Sequence, residues 1–203
     1  MTKPLFVLIF IMLLLAFGTG NALAEDSLTT ILNQKFGAGN FHQITNASGY
    51  EFSPKTYDVT VILSDKQSGF NYPTGWYATS NPDSKISIFD NPSAEIGRPE
   101  TIDPNVNFGL YINSRTGTFY SNSNLNPDDL NHVKVFQIDN GPEAGAYVLG
   151  YEDQTNSSDW DYQDIVIELK RKSLSIPDFP TIALPVAAFF GLVFMFRHKK
   201  ENM

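Results

Sequence analysis

The sequence contains no cysteine and only three histidines among its 203 residues. Without cysteine, the chain has no disulfide framework and no thiolate metal site. Zinc sites and acid–base catalysis rely heavily on histidine and cysteine, so neither is expected here. The nucleophile motif G-x-S-x-G is also missing. These absences together predict that the protein is not an enzyme, with a glycosidase-type pair of carboxylates as the least favoured alternative.

Positive charge is scarce as well. The chain has 14 Lys and Arg residues against 22 Asp and Glu residues, which gives a net charge of −8. Nucleic-acid binding needs a basic face that neutralises phosphates, so nucleic acid is excluded as an expected partner. The same acidic balance suits hard cations, which bind to oxygen ligands.

Long apolar runs occur at the two ends of the chain. At the N-terminus, Lys3 precedes an apolar run from Leu5 to Phe17, and the small-residue pattern Ala22-Leu23-Ala24 follows. This order predicts a secretory signal peptide, a signal helix over residues 1–24, with signal peptidase as a processing partner. Cleavage after Ala24 leaves Glu25 as the first mature residue.

The C-terminus predicts a linker with a sorting motif (173–180), a transmembrane helix (181–196) and a basic cytoplasmic tail (197–203). Sixteen helical residues span about 24 Å, which is less than the ~30 Å hydrocarbon core. Two interpretations stay open: a retained single-pass anchor, or a tail cut near a short motif and replaced by lipid. Both place residues 25–172 outside the cell, at the membrane surface.

The motif at this end is Pro177-Asp178-Phe179. It stands at the head of the segment Ile176 to Ala188, and the basic run Arg197-His198-Lys199-Lys200 follows the apolar stretch. This arrangement resembles the PEF-CTERM sorting signal of archaeal surface proteins, with Pro-Asp-Phe in place of Pro-Glu-Phe. The resemblance implies an archaeal envelope and an archaeosortase-like processing enzyme as a partner.

Residues 25–172 have the size of one domain. Leu28, Ile31, Leu32 and Phe36 follow helical spacing, which predicts one short amphipathic helix over 26–36 that ends at Gly37. Beyond this helix, short apolar runs alternate with Gly, Pro, Asn and Asp. They predict strands at 57–63, 76–80, 85–90, 106–113, 117–122, 132–138, 146–152 and 164–170.

Several of these runs alternate onto one face. Tyr57, Val59, Val61 and Leu63 do so in the first run. No long helical segments lie between the runs to make parallel crossovers. The pattern therefore predicts an all-β extracellular domain, an antiparallel β-sandwich or jelly roll with a short N-terminal helix.

Between the last two predicted strands lies a loop with a dense group of acids. They are Glu152, Asp153, Asp159, Asp161 and Asp164. Carboxylates this close repel each other unless a cation or hydrogen-bond donors neutralise them. The loop lacks the glycine and the closing glutamate of an EF-hand, so we expect a β-type calcium loop. The alternative is a solvated acidic turn. In either case Trp160 and Tyr162 are expected to point inward and the acids outward.

The run G-Y-E-D…D-W-D-Y-Q-D-I-V-I, together with N-F-G-L-Y-I at 107–112, T-F-Y at 118–120 and N-H-V-K-V-F at 131–136, is similar to the domain of unknown function 4114 family. The resemblance covers about residues 75–170. It implies a β fold found in secreted and surface proteins, sometimes attached to adhesins, and it implies no activity.

Two sequons, at Asn46 and Asn156, predict glycosylation on an exported chain. His132 at a strand start is expected to be structural. The favoured function is a structural or adhesive surface module, held by calcium and bound to an envelope polysaccharide or a surface protein. The alternative is a carbohydrate-binding module, for which exposed Trp76, Tyr77 or Tyr120 would serve as stacking platforms.

Overall fold

The computed structural model describes residues 27–46, 49–64, 70–155 and 160–172. Within these ranges the chain forms one α-helix and ten strands. The elements are α1 (Leu28–Phe36), β1 (Phe41–Ile44), β2 (Tyr57–Ser64), β3 (Thr74–Ala78), β4 (Asn81–Phe89), β5 (Pro99–Ile102), β6 (Phe108–Asn113), β7 (Thr118–Tyr120), β8 (Val133–Ile138), β9 (Tyr147–Tyr151) and β10 (Ile165–Arg171).

Parts of the predicted organisation lie outside the described residues. These parts are the signal peptide, the sorting motif Pro177-Asp178-Phe179, the transmembrane helix and the basic tail. The boundaries proposed for these segments therefore stay predictions. Among the described residues, no helix has the length and apolar character needed to cross a membrane.

The strands form two sheets. One has the order β1-β8-β9-β10-β2-β5 and the other the order β4-β3-β6-β7. All the pairings between these strands are antiparallel. This arrangement confirms the predicted all-β, antiparallel class with a short N-terminal helix.

One apolar core joins the two sheets. Val59 and Ile167 from the six-stranded sheet share it with Leu110, Ile112 and Phe119 from the four-stranded sheet, all without solvent exposure. Each strand contributes alternate residues, as a pleated strand with one face inward requires. Because side chains of both sheets fill a common interior, the sheets pack as a sandwich.

Strand β2 departs from the predicted alternation at its end. Tyr57, Val59 and Val61 point into the core between the sheets, as expected. A register shift opposite Val166 and Ile167 skips one residue of β2, and Leu63 then packs on the other face of the sheet. A β-bulge of this kind reverses the side-chain direction beyond it.

Helix α1 covers the outer face of the six-stranded sheet. Ser27 caps the helix by accepting a hydrogen bond from the amide of Thr30, and Gly37 ends it with a φ of 84°. Leu28 and Leu32 pack on a second apolar cluster that includes Val148. The apolar residues at helical spacing therefore form the face of the helix that packs on this sheet. Burying the Leu32 side chain stabilises the fold by about 2 kcal/mol.

Candidate metal centre

The acidic loop joins two neighbouring strands of the six-stranded sheet. Tyr151, the last residue of β9, pairs with Ile165, the first residue of β10. Glu152 and Asp164 are the next residues outward on each strand, so the hairpin brings them to the same end of the sheet. Glu152 and Asp164 are therefore neighbours in space although they are twelve residues apart in the sequence.

Three carboxylates meet at this point. Glu152, Asp153 and Asp164 each offer an oxygen, and these oxygens lie within 4.8 Å of one another. Glu152 is 1% exposed and Asp153 is 5% exposed. We expected the acids of this loop to point outward, and for these two residues that expectation is wrong. The reason is that contacts with other elements hold both residues inward: the Glu152 amide donates to the His132 carbonyl, and the Asp153 side chain accepts from the Tyr72 hydroxyl.

Asp153 is fixed by hydrogen bonds at three of its groups. Its amide donates to Oδ2 of Asp164 (2.9 Å), and its carbonyl oxygen accepts from Oγ1 of Thr116 (2.8 Å). Its Oδ2 accepts from the hydroxyl of Tyr72 (2.8 Å). The remaining oxygen, Oδ1, is buried and has no hydrogen-bond partner among the described residues. A buried carboxylate oxygen in this state is rare and needs an explanation.

The electrostatics of Asp164 reflect the crowding. The pKa of this carboxyl is raised from 3.8 to about 8, mainly by burial and then by the negative charges of Asp153 and Glu152. The hydrogen bond from the Asp153 amide acts the other way and lowers the pKa. Burial and like charge therefore both disfavour the ionised form of Asp164 in the metal-free protein.

Of the other two predicted ligands, Asp161 lies among the described residues and Asp159 does not. Asp161 accepts hydrogen bonds from the amide of Gln163 (3.1 Å) and from its side-chain Nε2 (2.7 Å). Its charge still acts on Asp164 and raises that pKa. Asp159 lies outside the described residues, as does the sequon residue Asn156. The structure thus brings together three of the five predicted acids.

Two bulky residues of the loop adopt left-handed backbone conformations. Trp160 has a φ of 57° and Tyr162 has a φ of 62°. Such values are strained for bulky side chains, and they persist where the surroundings hold them. Trp160 is 37% exposed, so the expectation that it points into the core is wrong. Tyr162 is half-buried beneath Lys134, whose Nζ lies 4.0 Å from the ring centroid.

His132 is a structural residue, as predicted. It is fully buried, its ring stacks on Phe119 at 4.1 Å between centroids, and its Nε2 bonds to Asp128 at 3.0 Å. Burial acts to raise the pKa of Asp128, but hydrogen bonds from His132 and from the Leu130 amide outweigh it and lower the pKa. The carbonyl of His132 accepts a hydrogen bond from the amide of Glu152 (2.9 Å), so this residue also supports the cluster.

The aromatic residues proposed as sugar platforms are not exposed. Tyr77 is fully buried, and Trp76 and Tyr120 are half-buried. A different group of rings lines a cleft of about 240 Å³ elsewhere on the sandwich. Its lining includes Tyr50, Phe52, Tyr57, Tyr147, Glu51 and the sequon residue Asn46. Asn46 itself is exposed.

Sequence reasoning missed two residues of the site, Tyr72 and Thr116. Tyr72 lies two residues before the strand β3, and Thr116 lies in the turn between β6 and β7, so both stand in segments that adjoin strands of the four-stranded sheet. Tyr72 is 81 residues away from its partner Asp153, and Thr116 is 37 residues away. No local pattern marks either residue as a partner of the acids.

Comparison with known proteins gives two family matches. Residues 176–200 match the PEF-CTERM archaeal protein sorting domain. This match indicates an exported protein anchored at the cell surface, and it is consistent with membrane association and processing by an archaeosortase-like enzyme. No curated protein and no solved structure matches the chain. Residues 93–172, which contain the three clustered acids, match the family described as a domain of unknown function (DUF4114). The chain thus has a segment similar to DUF4114, followed by a segment similar to the archaeal sorting domain.

Proposed function

We propose that this protein is a structural or adhesive module of the cell surface, stabilised by a calcium ion bound to Glu152, Asp153 and Asp164. The observation that carries the proposal is that Asp153, one of the three clustered acids, has a buried Oδ1 without a hydrogen-bond partner among the described residues. A cation bound in the cluster supplies the missing partner.

The chemistry of the ligands favours calcium. All three groups are carboxylates, and hard cations prefer such oxygen ligands. Calcium–oxygen distances are about 2.3–2.6 Å, so one ion can bridge oxygens that lie within 4.8 Å of one another. Calcium also accepts irregular coordination, whereas magnesium requires a near-ideal octahedron and retains much of its water. A hairpin loop between two strands is better suited to the irregular coordination of calcium than to the octahedron that magnesium requires.

Calcium binding at this point would strengthen the sandwich. The ion would offset the repulsion among the three acids and close the loop between β9 and β10. A ligand that binds the folded chain alone stabilises it by about 2.7 kcal/mol at 100 times its Kd. In a calcium-containing medium the folded domain would therefore resist unfolding. Removal of the metal would lower the stability of the end of the sandwich nearest this loop.

Calorimetric titration of the full-length chain in detergent with calcium tests the proposal. We expect wild type to bind, and Asp153→Asn to bind at least about 10-fold more weakly because it loses a charged ligand. Asp83→Asn is the matched control, since it makes the same change at an exposed position of β4. A wild-type chain that takes up no calcium, or an Asp153→Asn chain that binds as wild type does, would contradict the proposal.

A carbohydrate-binding module is the second candidate, and the cleft beside Asn46 favours it. Tyr50, Phe52 and Tyr57 line this cleft but are buried in the core, so the half-buried Tyr147 supplies the accessible ring, together with the hydrogen-bonding group of Glu51. Sugar recognition uses such pairs of apolar faces and polar groups. The partner in this case would be an envelope polysaccharide.

Binding of the full-length chain to immobilised surface polysaccharides tests the second candidate. Tyr147→Ala removes a half-buried ring of the cleft, and we expect it to abolish retention. Lys85→Ala, on the four-stranded sheet, should leave retention unchanged. Equal retention of wild type and Tyr147→Ala would remove the cleft from consideration.

That the protein is not an enzyme stays a prediction.

We further propose that the sorting segment is cut near Pro177-Asp178-Phe179 and that lipid then anchors the mature chain. The family match at residues 176–200 supports this proposal. Intact-mass measurement of the protein from native membranes reads cleavage, lipid and glycans at Asn46 and Asn156 together. A mass that retains the basic tail would favour the simple membrane anchor instead.

A further inference from the structure

Tyr72 stands out as a buried residue of the four-stranded sheet that contacts the acids of the other sheet. It is fully buried, and its hydroxyl donates a 2.8 Å hydrogen bond to Oδ2 of Asp153. Its own backbone is held by Thr74, whose Oγ1 donates to the Tyr72 carbonyl (2.9 Å). The Tyr72 ring packs edge-on against Phe70 at 5.3 Å between centroids. These contacts therefore fix the position of the Tyr72 hydroxyl beside Asp153.

The hydrogen bond from Tyr72 gives the two oxygens of the Asp153 carboxylate different surroundings. Oδ2 accepts the hydrogen bond from Tyr72, while Oδ1 is buried without a hydrogen-bond partner among the described residues, and Asp153 is one of the three acids of the cluster. A carboxylate held in this way cannot rotate freely, so Oδ1 remains the oxygen that is available to a cation. Groups that orient a metal ligand through a hydrogen bond commonly change metal affinity 10–100-fold when removed.

We infer that Tyr72 is a positioning residue for the metal site: it occupies Oδ2 of Asp153 and leaves Oδ1 as the ligand. The inference rests on the proposed calcium site. Tyr72 and Thr116 stand in segments that adjoin strands of the four-stranded sheet, whereas the three acids stand next to β9 and β10 of the six-stranded sheet. The site therefore joins the two sheets at one end of the sandwich, and metal binding on one sheet depends on a hydroxyl from the other.

The test compares Tyr72→Phe with Tyr151→Phe in the full-length chain. Tyr151 is also fully buried, but its hydroxyl has no hydrogen-bond partner among the described residues, so its removal is a matched control. We expect Tyr72→Phe to weaken calcium binding by about 10–100-fold. Tyr151→Phe should bind calcium with the Kd of wild type, and circular dichroism should show all three chains folded.

A second readout separates positioning from general loosening. Terbium takes the same oxygen ligands as calcium, and its luminescence lifetimes in H2O and D2O report the water bound to the ion. Loss of the fixed Oδ1 ligand in Tyr72→Phe should add water to the bound terbium, and Tyr151→Phe should not. Thr116→Val removes the hydrogen bond from Thr116 to the Asp153 carbonyl. Thr116 is exposed, so the fold should tolerate the change. This variant should also bind calcium more weakly.

The outcomes distinguish the two proposals. A wild-type chain that binds no calcium overturns the proposed site and the role of Tyr72 together. A wild-type chain that binds, with Tyr72→Phe equal to it in Kd and in terbium hydration, overturns the role of Tyr72 alone. Weaker binding and greater hydration in Tyr72→Phe, with Tyr151→Phe unchanged, support the inference.

Discussion

Two carboxylates have contrasting surroundings: the buried Glu168 in the middle of β10, and the half-buried Asp164 directly before that strand. Glu168 is 6% exposed, and Nζ of Lys35 lies 3.7 Å from its Oε2. Burial raises the pKa of Glu168, and Lys35 opposes that rise. The pKa of Asp164 is raised to about 8 by burial together with the neighbouring charges, and those charges, on Asp153, Glu152 and Asp161, are all negative. The chain supplies a cation to one carboxylate and surrounds the other with acids.

This contrast separates two ways of burying charge. A paired carboxylate such as Glu168 is balanced within the chain, so its contribution to stability should not depend on the medium's metal content. A carboxylate crowded by other acids is balanced only when a cation or a proton arrives. Dependence on metal and pH should therefore be concentrated at the Asp164 end of the strand.

The largest effect is expected for Asp164→Asn. In saturating calcium, this variant should lose most of the metal stabilisation, about 2.7 kcal/mol at 100 times the wild-type Kd. In chelator at pH 9, where Asp164 of wild type is ionised, the variant should instead be more stable because a crowded charge is gone. Denaturant unfolding under both conditions measures this reversal of sign. A variant that is less stable under both conditions would contradict the contrast.

The pH dependence is the next largest effect. In the unfolded chain Asp164 titrates near 3.8, and in the folded metal-free chain it titrates at about 8. A raised folded pKa means that its stabilising contribution is complete below the unfolded value and is lost as pH rises through about 8. Unfolding measured in chelator from pH 4 to pH 9 should show this loss, with Asp164→Asn as the control that lacks it.

Calcium should change the direction of that pH dependence. The ion binds the ionised carboxylates, so its stabilisation grows as they lose protons. Stability in calcium should therefore hold or rise over the range in which the chelated protein weakens. Identical pH profiles with and without calcium would show that the cluster binds protons alone.

The smallest effect is expected for Lys35→Ala. Lys35 is 40% exposed, so its ion pair with Glu168 is screened by solvent and contributes about 0.2–1 kcal/mol. The loss should be the same in calcium and in chelator, because Glu168 is not part of the cluster. Unfolding of Lys35→Ala under both conditions checks this. A calcium-dependent loss would mean that the two ends of β10 are not independent.

Much of the fold could be predicted from the sequence because alternation and helical spacing are local signals. The helix begins within two residues of the expected start and ends at Phe36 as expected. Each of the eight predicted strands corresponds to an observed one, with ends displaced by a few residues. Strands β1 and β5 were missed because they are short edge strands of four residues, and one begins with Pro99.

The site was less predictable. The density of acids predicted the cluster, and Glu152, Asp153 and Asp164 are indeed together. The predicted directions of Glu152, Asp153 and Trp160 were wrong because they were judged by alternation. Hydrogen bonds from other elements hold Glu152 and Asp153 inward, and the left-handed backbone of Trp160 and Tyr162 breaks the alternation later in the loop. The partners Tyr72 and Thr116 depend on the packing of two sheets, which no local pattern specifies.

Thermal unfolding of the full-length wild-type chain in calcium and in chelator tests the central claim most directly. At 100 times the Kd, the predicted stabilisation of about 2.7 kcal/mol corresponds to a rise in Tm of roughly 5–10 °C for a chain of this size. Magnesium at the same concentration should give a smaller rise. Equal Tm values in calcium and in chelator would contradict the account.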